Sequence, residues 1–285
     1  MHFSYYCFCL IALIARFIPL RLGYFLAGCG GDVLFLLSKK RRQIVGRNIL
    51  RAKDQAENNR KIRLKVRHVF RNAAKNYLDL MKMSQINWGK LDGKVKIEGM
   101  HHLTQAVNNG KGVIIATAHL GNFEFGAHVI ASRGVEMVIL VEAFDTVPLL
   151  RKIVHLRRGK GVKILSVGTS GMKEGLRTLR RGGTVTIVCD RDLQGNGMKI
   201  PFLGQETSFP VGVVDLALRT GAAIVPVFSL RKPHNTTSIF VEPPLTMFES
   251  ENHHQALKAN LERLVATLEK YIRKYPEQWV VLEPV

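Results

Sequence analysis

From about residue 113 onward, short apolar runs alternate with stretches of helical periodicity, and this rhythm constrains the fold more than any other feature of the chain. The runs 113–118, 137–141, 162–165, 184–189 and 223–228 consist almost wholly of apolar and β-branched residues. A strand with one face in water alternates apolar and polar side chains. A run apolar on both faces belongs in a sheet covered on both sides, which is the usual setting of parallel strands. Between the runs, 123–133, 148–158 and 173–181 have helical spacing. A Gly-rich loop, a helix at about 210–220, a strand at 238–242, a helix at about 254–274 and a last strand near 279–282 follow. The pattern predicts an α/β fold, a mostly parallel central sheet flanked by helices, preceded by an N-terminal membrane-associating helical segment.

That segment is the apolar stretch 3–37, interrupted by Arg16, Arg21 and Asp32. Its first uncharged run, 3–15, is shorter than the ~20 residues that span a bilayer. No Lys or Arg precedes it, as a secretory signal would require. Leu26-Ala27-Gly28-Cys29 looks like a lipoprotein cleavage box, but Arg16 and Arg21 break the apolar region that such a signal needs. One or two helices lying in, or dipping into, one membrane face are expected. Fourteen basic residues follow between Lys39 and Lys75 against Asp54 and Glu57, a net +12 out of +20 for the 285-residue chain. Basic residues beside an apolar anchor attract anionic headgroups, at about 1 kcal/mol each near the surface, and mark a cytoplasmic side. Ile62, Val66, Phe70, Ala73, Tyr77 and Leu80 recur at helical spacing, so an amphipathic basic helix is expected over about 55–84. The expected division is 1–38 as membrane anchor, 39–92 as basic amphipathic helices and 93–285 as an α/β core.

At 46% apolar residues the chain is no disordered polyelectrolyte, and its long uncharged runs are too few for a polytopic membrane protein. Its charge asks for an anionic partner: nucleic acid, an anionic membrane surface, or an acidic carrier or substrate. Nucleic acid is disfavoured, because Phe70 is the only aromatic residue between Lys39 and Lys75 on which a base could stack. Cys7, Cys9, Cys29 and Cys189 include no Cys-x-x-Cys pair, so reduced thiols and no metal site are expected.

The run 113–118 ends in His119-Leu120-Gly121-Asn122-Phe123-Glu124. In open α/β sheets, ligands bind beyond the carboxyl ends of the strands. A histidine there can offer one ring nitrogen to a substrate. A turn at Gly121 could fold Glu124 back to the other nitrogen, fixing the tautomer and stabilising the imidazolium. The alternative is a helix capped at Asn122. Protein nucleophiles are missing: Gly168-Thr169-Ser170-Gly171 falls one residue short of Gly-x-Ser-x-Gly, and no phosphate loop, dinucleotide fingerprint or His-Glu-x-x-His occurs. A base without a nucleophile suggests direct attack by a substrate hydroxyl or by water.

The same residues carry a resemblance. Ala118-His119-Leu120-Gly121-Asn122-Phe123-Glu124 resembles the His-(any four)-acid block of the glycerolipid acyltransferase superfamily, and most closely that of its lipid A biosynthesis (lauroyl/myristoyl) acyltransferase family. Further blocks follow in order: Arg157-Arg158-Gly159 with Val162-Lys163-Ile164-Leu165; Cys189-Asp190-Arg191-Asp192, Gly195 and Ile200-Pro201-Phe202-Leu203-Gly204; Phe209-Pro210-Val211-Gly212; and Pro276-Glu277-Gln278-Trp279. The resemblance implies that 39–285 is an acyltransferase domain. It implies transfer of a fatty acyl chain from a thioester, on acyl carrier protein or coenzyme A, to a hydroxyl of an anionic glycolipid. The thioester is a co-substrate, and no cofactor is implied. The place implied is the cytoplasmic face of a bacterial inner membrane. The Asp-Arg-Asp block also occurs in relatives that acylate mannosylated phosphatidylinositol, so that lipid or a glycerophospholipid is an alternative acceptor. On this reading His119 and Glu124 are catalytic, and Arg158, or else Arg157, lies near the thioester oxyanion. Asn122, Arg157, Asp190, Arg191, Asp192 and Gly195 contact substrate. Asp190 and Asp192 would orient Arg158 or bind sugar hydroxyls, the alternative for Asp192 being a polar turn at Gly195.

Overall fold

The computed structural model describes residues 2–53, 58–91, 93–141, 148–166, 168–192 and 194–285. Seven strands form the main sheet: β1 (Val95–Glu98), β2 (Val113–Thr117), β3 (Met137–Val141), β4 (Val162–Ser166), β5 (Thr184–Val188), β8 (Ala223–Arg231) and β9 (Thr237–Val241). Their order is β1-β9-β8-β2-β5-β3-β4. Every neighbouring pair is parallel except β8–β9, which turns back antiparallel. The mostly parallel sheet expected from the apolar runs is therefore present. The reason is visible in its two faces. Ile114, Ala116, Val185 and Ile224 point into one core with α8 (Thr169–Arg180), α9 (Gly212–Thr220) and α10 (His253–Lys274). Val113, Ile115, Met137 and Val225 point into the other with α5 (Met100–Asn108) and α6 (Phe123–Ser132). Side chains alternate across a strand, so a strand buried on both faces must be apolar at every position.

Two departures from the sequence pattern stand out. The Gly-rich stretch before α9 contains an antiparallel hairpin, β6 (Met198–Phe202) and β7 (Gln205–Phe209), whose Ile200, Phe202 and Phe209 are buried in the core beneath α10. The segment near 279–282 is not a strand of the sheet. After a short 3-10 turn at Pro276–Gln278 it makes one isolated bridge, Leu120 to Trp279, and Val280 N–H donates to the His119 carbonyl at 2.8 Å.

Ahead of the sheet come α1 (His2–Phe17), α2 (Leu20–Leu37), α3 (Lys39–Arg51) and α4 (Asn59–Lys82). Asn58 caps α4 by accepting from Arg60 N–H; the expected start of this helix at about 55 falls outside the described residues. By length and composition α2 is long and apolar enough to cross a membrane. Yet one side of it is committed to α4. A Cβ on Gly31 would lie 2.7 Å from Arg71 Cα, so only glycine permits the approach. Phe35 packs edge-on against Phe70 with ring centroids 5.8 Å apart. Asp32 accepts two hydrogen bonds from Arg67. The remaining surface of α1 and α2 is strongly apolar and exposed, including Leu10, Ile14, Phe17, Phe25, Leu36 and Leu37. An exposed apolar surface that large marks an interaction face.

Candidate active site

β2 ends at Thr117, and the chain turns sharply through His119 and Gly121 before α6 begins at Phe123. Leu120 N–H donates back to the Ala118 carbonyl at 2.6 Å. Gly121 has φ +62°, and a Cβ there would sit 2.0 Å from the Ser229 carbonyl oxygen, so the turn requires glycine. Asn122 is buried, and both ends of its amide are engaged: it donates to Thr237 Oγ1 and accepts from Ser229 Oγ, each at 2.8 Å. Its side chain ties the turn to β8 and β9, in place of the substrate contact expected of it.

The register of β2 and β5 decides what stands beside His119. Thr117 pairs with Val188, and Cys189 N–H extends the ladder by donating to the Thr117 carbonyl at 2.9 Å. Continuing that ladder sets Asp190 against His119. Asp190 Oδ1 lies 2.8 Å from His119 Nδ1, while Oδ2 accepts from the His119 backbone N–H at 3.1 Å and from Trp279 Nε1 at 2.8 Å. Asp190 is fully buried. Burial alone would raise its pKa; the attraction of His119 and the hydrogen bonds from His119 and Trp279 outweigh it and hold the carboxyl below its ordinary value. An ionised carboxylate only accepts, so Nδ1 carries the hydrogen. In the neutral ring Nε2 then carries the lone pair, and no described residue hydrogen-bonds it. The ring is 27% exposed, enough for a substrate to reach it.

Glu124 is therefore not the partner of Nδ1. It opens the first turn of α6 and forms an ion pair with Arg157, which lies just past α7 (Pro148–Leu156). One turn further along α6, His128 is hydrogen-bonded to the Arg157 backbone, and its ring stacks on Trp88 with centroids 5.4 Å apart. A Cβ on Gly159 would meet that ring at 2.7 Å. Burial pushes His128 down to about pKa 4, against the opposing effect of the Arg157 bond, so it is neutral at neutral pH. Glu124 and His128 together pin the Arg157–Gly159 segment to α6. Arg158 is exposed and makes no ion pair among the described residues.

The Asp-Arg-Asp block divides three ways. Asp190 holds His119. Arg191 pairs with Glu283. Asp192 accepts from the backbone N–H groups of Gln194, Gly195 and Gly197, the last at 2.8 Å, and from Ser208 Oγ at 2.7 Å. It shapes the polar turn, in which Gly195 takes φ +70°. Neither aspartate makes a hydrogen bond or ion pair with Arg158. Cys189 is buried, its thiol pushed far above its ordinary range by burial and by neighbouring Asp190, so it is no nucleophile. Trp279, which donates to Asp190, carries no chemical signal in the sequence beyond its place in the last resembling block.

The site can hold a hydroxyl at Nε2, take its proton and stabilise the resulting imidazolium through buried Asp190. Comparison with known proteins identifies the family. The family model for bacterial lipid A biosynthesis acyltransferases matches residues 1–284. A phosphatidylinositol mannoside acyltransferase of Mycolicibacterium smegmatis is 24% identical over 215 residues, 74% of this chain and 68% of that protein. One from Mycobacterium tuberculosis is 29% identical over 153 residues, 52% of this chain, so that the match spans about half (48%) of that relative.

Proposed function

The chain belongs to the bacterial lipid A biosynthesis acyltransferase family, and we propose that it transfers a fatty acyl group from a thioester, on acyl carrier protein or coenzyme A, to a hydroxyl of an anionic glycolipid. The observation that carries this reading is the His119–Asp190–Trp279 arrangement at the paired ends of β2 and β5. His119 Nε2 takes the proton of the acceptor hydroxyl as its oxygen attacks the thioester carbonyl carbon. The carbon–sulfur bond then breaks, and the leaving sulfur recovers the proton from Nε2. Asp190 keeps Nδ1–H directed inward throughout and stabilises the transient positive charge. Arg158 supplies a cation for the developing oxyanion, with Arg157 held in place by Glu124. No covalent acyl-enzyme is needed.

The basic region from Lys39 to Lys75 and the exposed apolar faces of α1 and α2 support a place on the cytoplasmic face of an inner membrane. The names of the relatives favour a mannosylated phosphatidylinositol as acceptor, and the family model favours a lipid A precursor. Both are anionic glycolipids. The test is transfer of a labelled acyl chain from coenzyme A or acyl carrier protein to each acceptor in turn, with His119→Ala as control. Transfer to one acceptor, lowered roughly 100- to 10,000-fold in the variant, is the expected result. Failure with both acceptors, or a variant within a few-fold of the unaltered protein, overturns the reading.

A further inference from the structure

The turn that carries His119 is held from beneath by a polar stripe on α4. Asn72, Asn76 and Asp79 stand at i, i+4 and i+7, on one face of that helix. Asn72 Nδ2 donates to the Glu277 carbonyl at 3.0 Å, and Asn76 Nδ2 to the Gly121 carbonyl at 2.6 Å. Arg231 Nη2 donates to Asn76 Oδ1 at 2.9 Å and to Asp79 Oδ2. Gln278 brackets the Arg231 backbone with its side-chain amide, and its own carbonyl accepts from Gly121 N–H at 2.8 Å. Both peptide groups of Gly121 are thereby fixed from outside the turn.

The second oxygen of Asp79 accepts from the hydroxyl of Tyr24, on α2. The Tyr24 ring lies 5.3 Å from the Arg231 guanidinium. Arg231 and Asp79 side chains are only 5% and 6% exposed. In such a dry setting each bond depends on the next, and removing one partner leaves an uncompensated charge or dipole that the remainder must rearrange to accommodate. The chain of bonds runs without a gap from the apolar helix pair to the peptide two residues beyond His119.

We propose that Tyr24, Asp79, Arg231 and Asn76 are positioning residues that couple the docking of α2 on α4 to the geometry of the His119 turn. The catalytic half of this proposal rests on His119 being the base; the structural half does not. When α2 sits in place, Tyr24 completes the coordination of Asp79, Arg231 is held against Asn76, and Asn76 fixes the Gly121 carbonyl.

The test uses the full-length protein bound to vesicles of phosphatidylethanolamine and phosphatidylglycerol. Tyr24→Phe removes one hydroxyl and keeps the packed ring; Asn76→Ala removes the bond to Gly121 directly. Deuterium exchange of the Gly121 and Asn122 amides should accelerate by about tenfold in both variants, relative to amides of β5 in the same molecule. With a short-chain acyl-coenzyme A as donor, kcat should fall by about three- to tenfold at unchanged KM. The double variant should be no slower than Asn76→Ala alone, because both changes act through one link. Unchanged exchange in both variants overturns the coupling, whatever the rates do. Accelerated exchange with an unaltered kcat overturns the positioning of His119. If the unaltered protein transfers no acyl group at all, the proposed reaction fails, and the exchange result still decides the coupling.

Discussion

Replacing Asp190 by Asn should cost far more activity than its near-isosteric character suggests, and the hydrogen-bond geometry says why. Oδ2 of Asp190 accepts two backbone- and ring-anchored donors, His119 N–H and Trp279 Nε1–H, whereas Oδ1 faces one, the His119 ring. An asparagine can turn its oxygen toward only one of these sides. Two fixed donors outweigh one, so the amide oxygen takes the Oδ2 position and the NH2 group faces Nδ1. Nδ1 must then accept, the hydrogen moves to Nε2, and the ring has no lone pair for the acceptor hydroxyl. The imidazolium also loses its buried counter-charge. An equivalent change in a Ser-His-Asp triad lowers kcat about 10,000-fold, which corresponds to about 5.5 kcal/mol. A drop of at least about 1,000-fold is expected here, measured as single-turnover acyl transfer with donor and acceptor saturating. Ring nitrogen-15 NMR of His119 should show the hydrogen on Nε2. Glu124→Gln, which leaves the Nδ1 bond untouched and loosens Arg157, should lower the rate only about tenfold. Comparable losses in the two variants, or an Asn variant with the hydrogen still on Nδ1, would refute the reasoning.

Three further outcomes are expected. His128 has a folded-state pKa of about 4 against an ordinary 6.5, so the unfolded chain binds more protons between those values; its share of the stability is complete above pH 6.5 and is lost as pH falls toward 4, by about 2 kcal/mol at pH ~5. Urea unfolding at neutral pH and at pH ~5 should show that share missing from the pH dependence of His128→Phe, and identical pH dependence in both proteins would exclude it. Replacing exposed Phe25 and Leu36 together by Glu should release the protein from anionic vesicles, by at least about tenfold in partition, with its circular dichroism unchanged; flotation that matches the unaltered chain would place the membrane face elsewhere. A phosphorylated glycolipid acceptor should be used at least about tenfold faster than its dephosphorylated form, about 1.4 kcal/mol, and equal rates would limit the basic region to membrane or carrier docking.

The parts of the fold that were legible in the sequence are those where burial forces composition. β2, β3 and β8 sit between two helical layers, and their unbroken apolar runs say so. β1, with four residues of which two face outward, carries no such mark. The β6–β7 hairpin hides its buried Ile200, Phe202 and Phe209 among glycines and polar residues, because only one of its faces is covered. The place of His119 just past the end of β2 was legible from the apolar run before it. The identity of its partner was not. Proximity in the chain pointed to Glu124, but which carboxylate reaches Nδ1 depends on strand order, and strand order is set by packing between distant segments. The equal lengths of the runs 113–118 and 184–189, each followed directly by a polar group, are the one local hint that Asp190 would come alongside. The Tyr24–Asp79–Arg231 network left no trace, since its members are scattered over more than 200 positions.

The strand order has a consequence for how such an enzyme can change. After β2 the chain travels outward, builds β3 and β4 on the edge of the sheet, and returns to lay β5 directly against β2. His119 and Asp190 are 71 positions apart in sequence, yet the ladder between two short strands alone sets their spacing. The loops of the excursion between them lie outside that ladder, so a change in their length leaves the spacing of His119 and Asp190 to the β2–β5 register. A single deletion inside β2 would shift the register by one step and carry His119 to the opposite face, and one inside β5 would do the same to Asp190. The spacing of this pair and the placement of Arg157 and Arg158, which lie within the excursion, thus depend on different stretches of one chain.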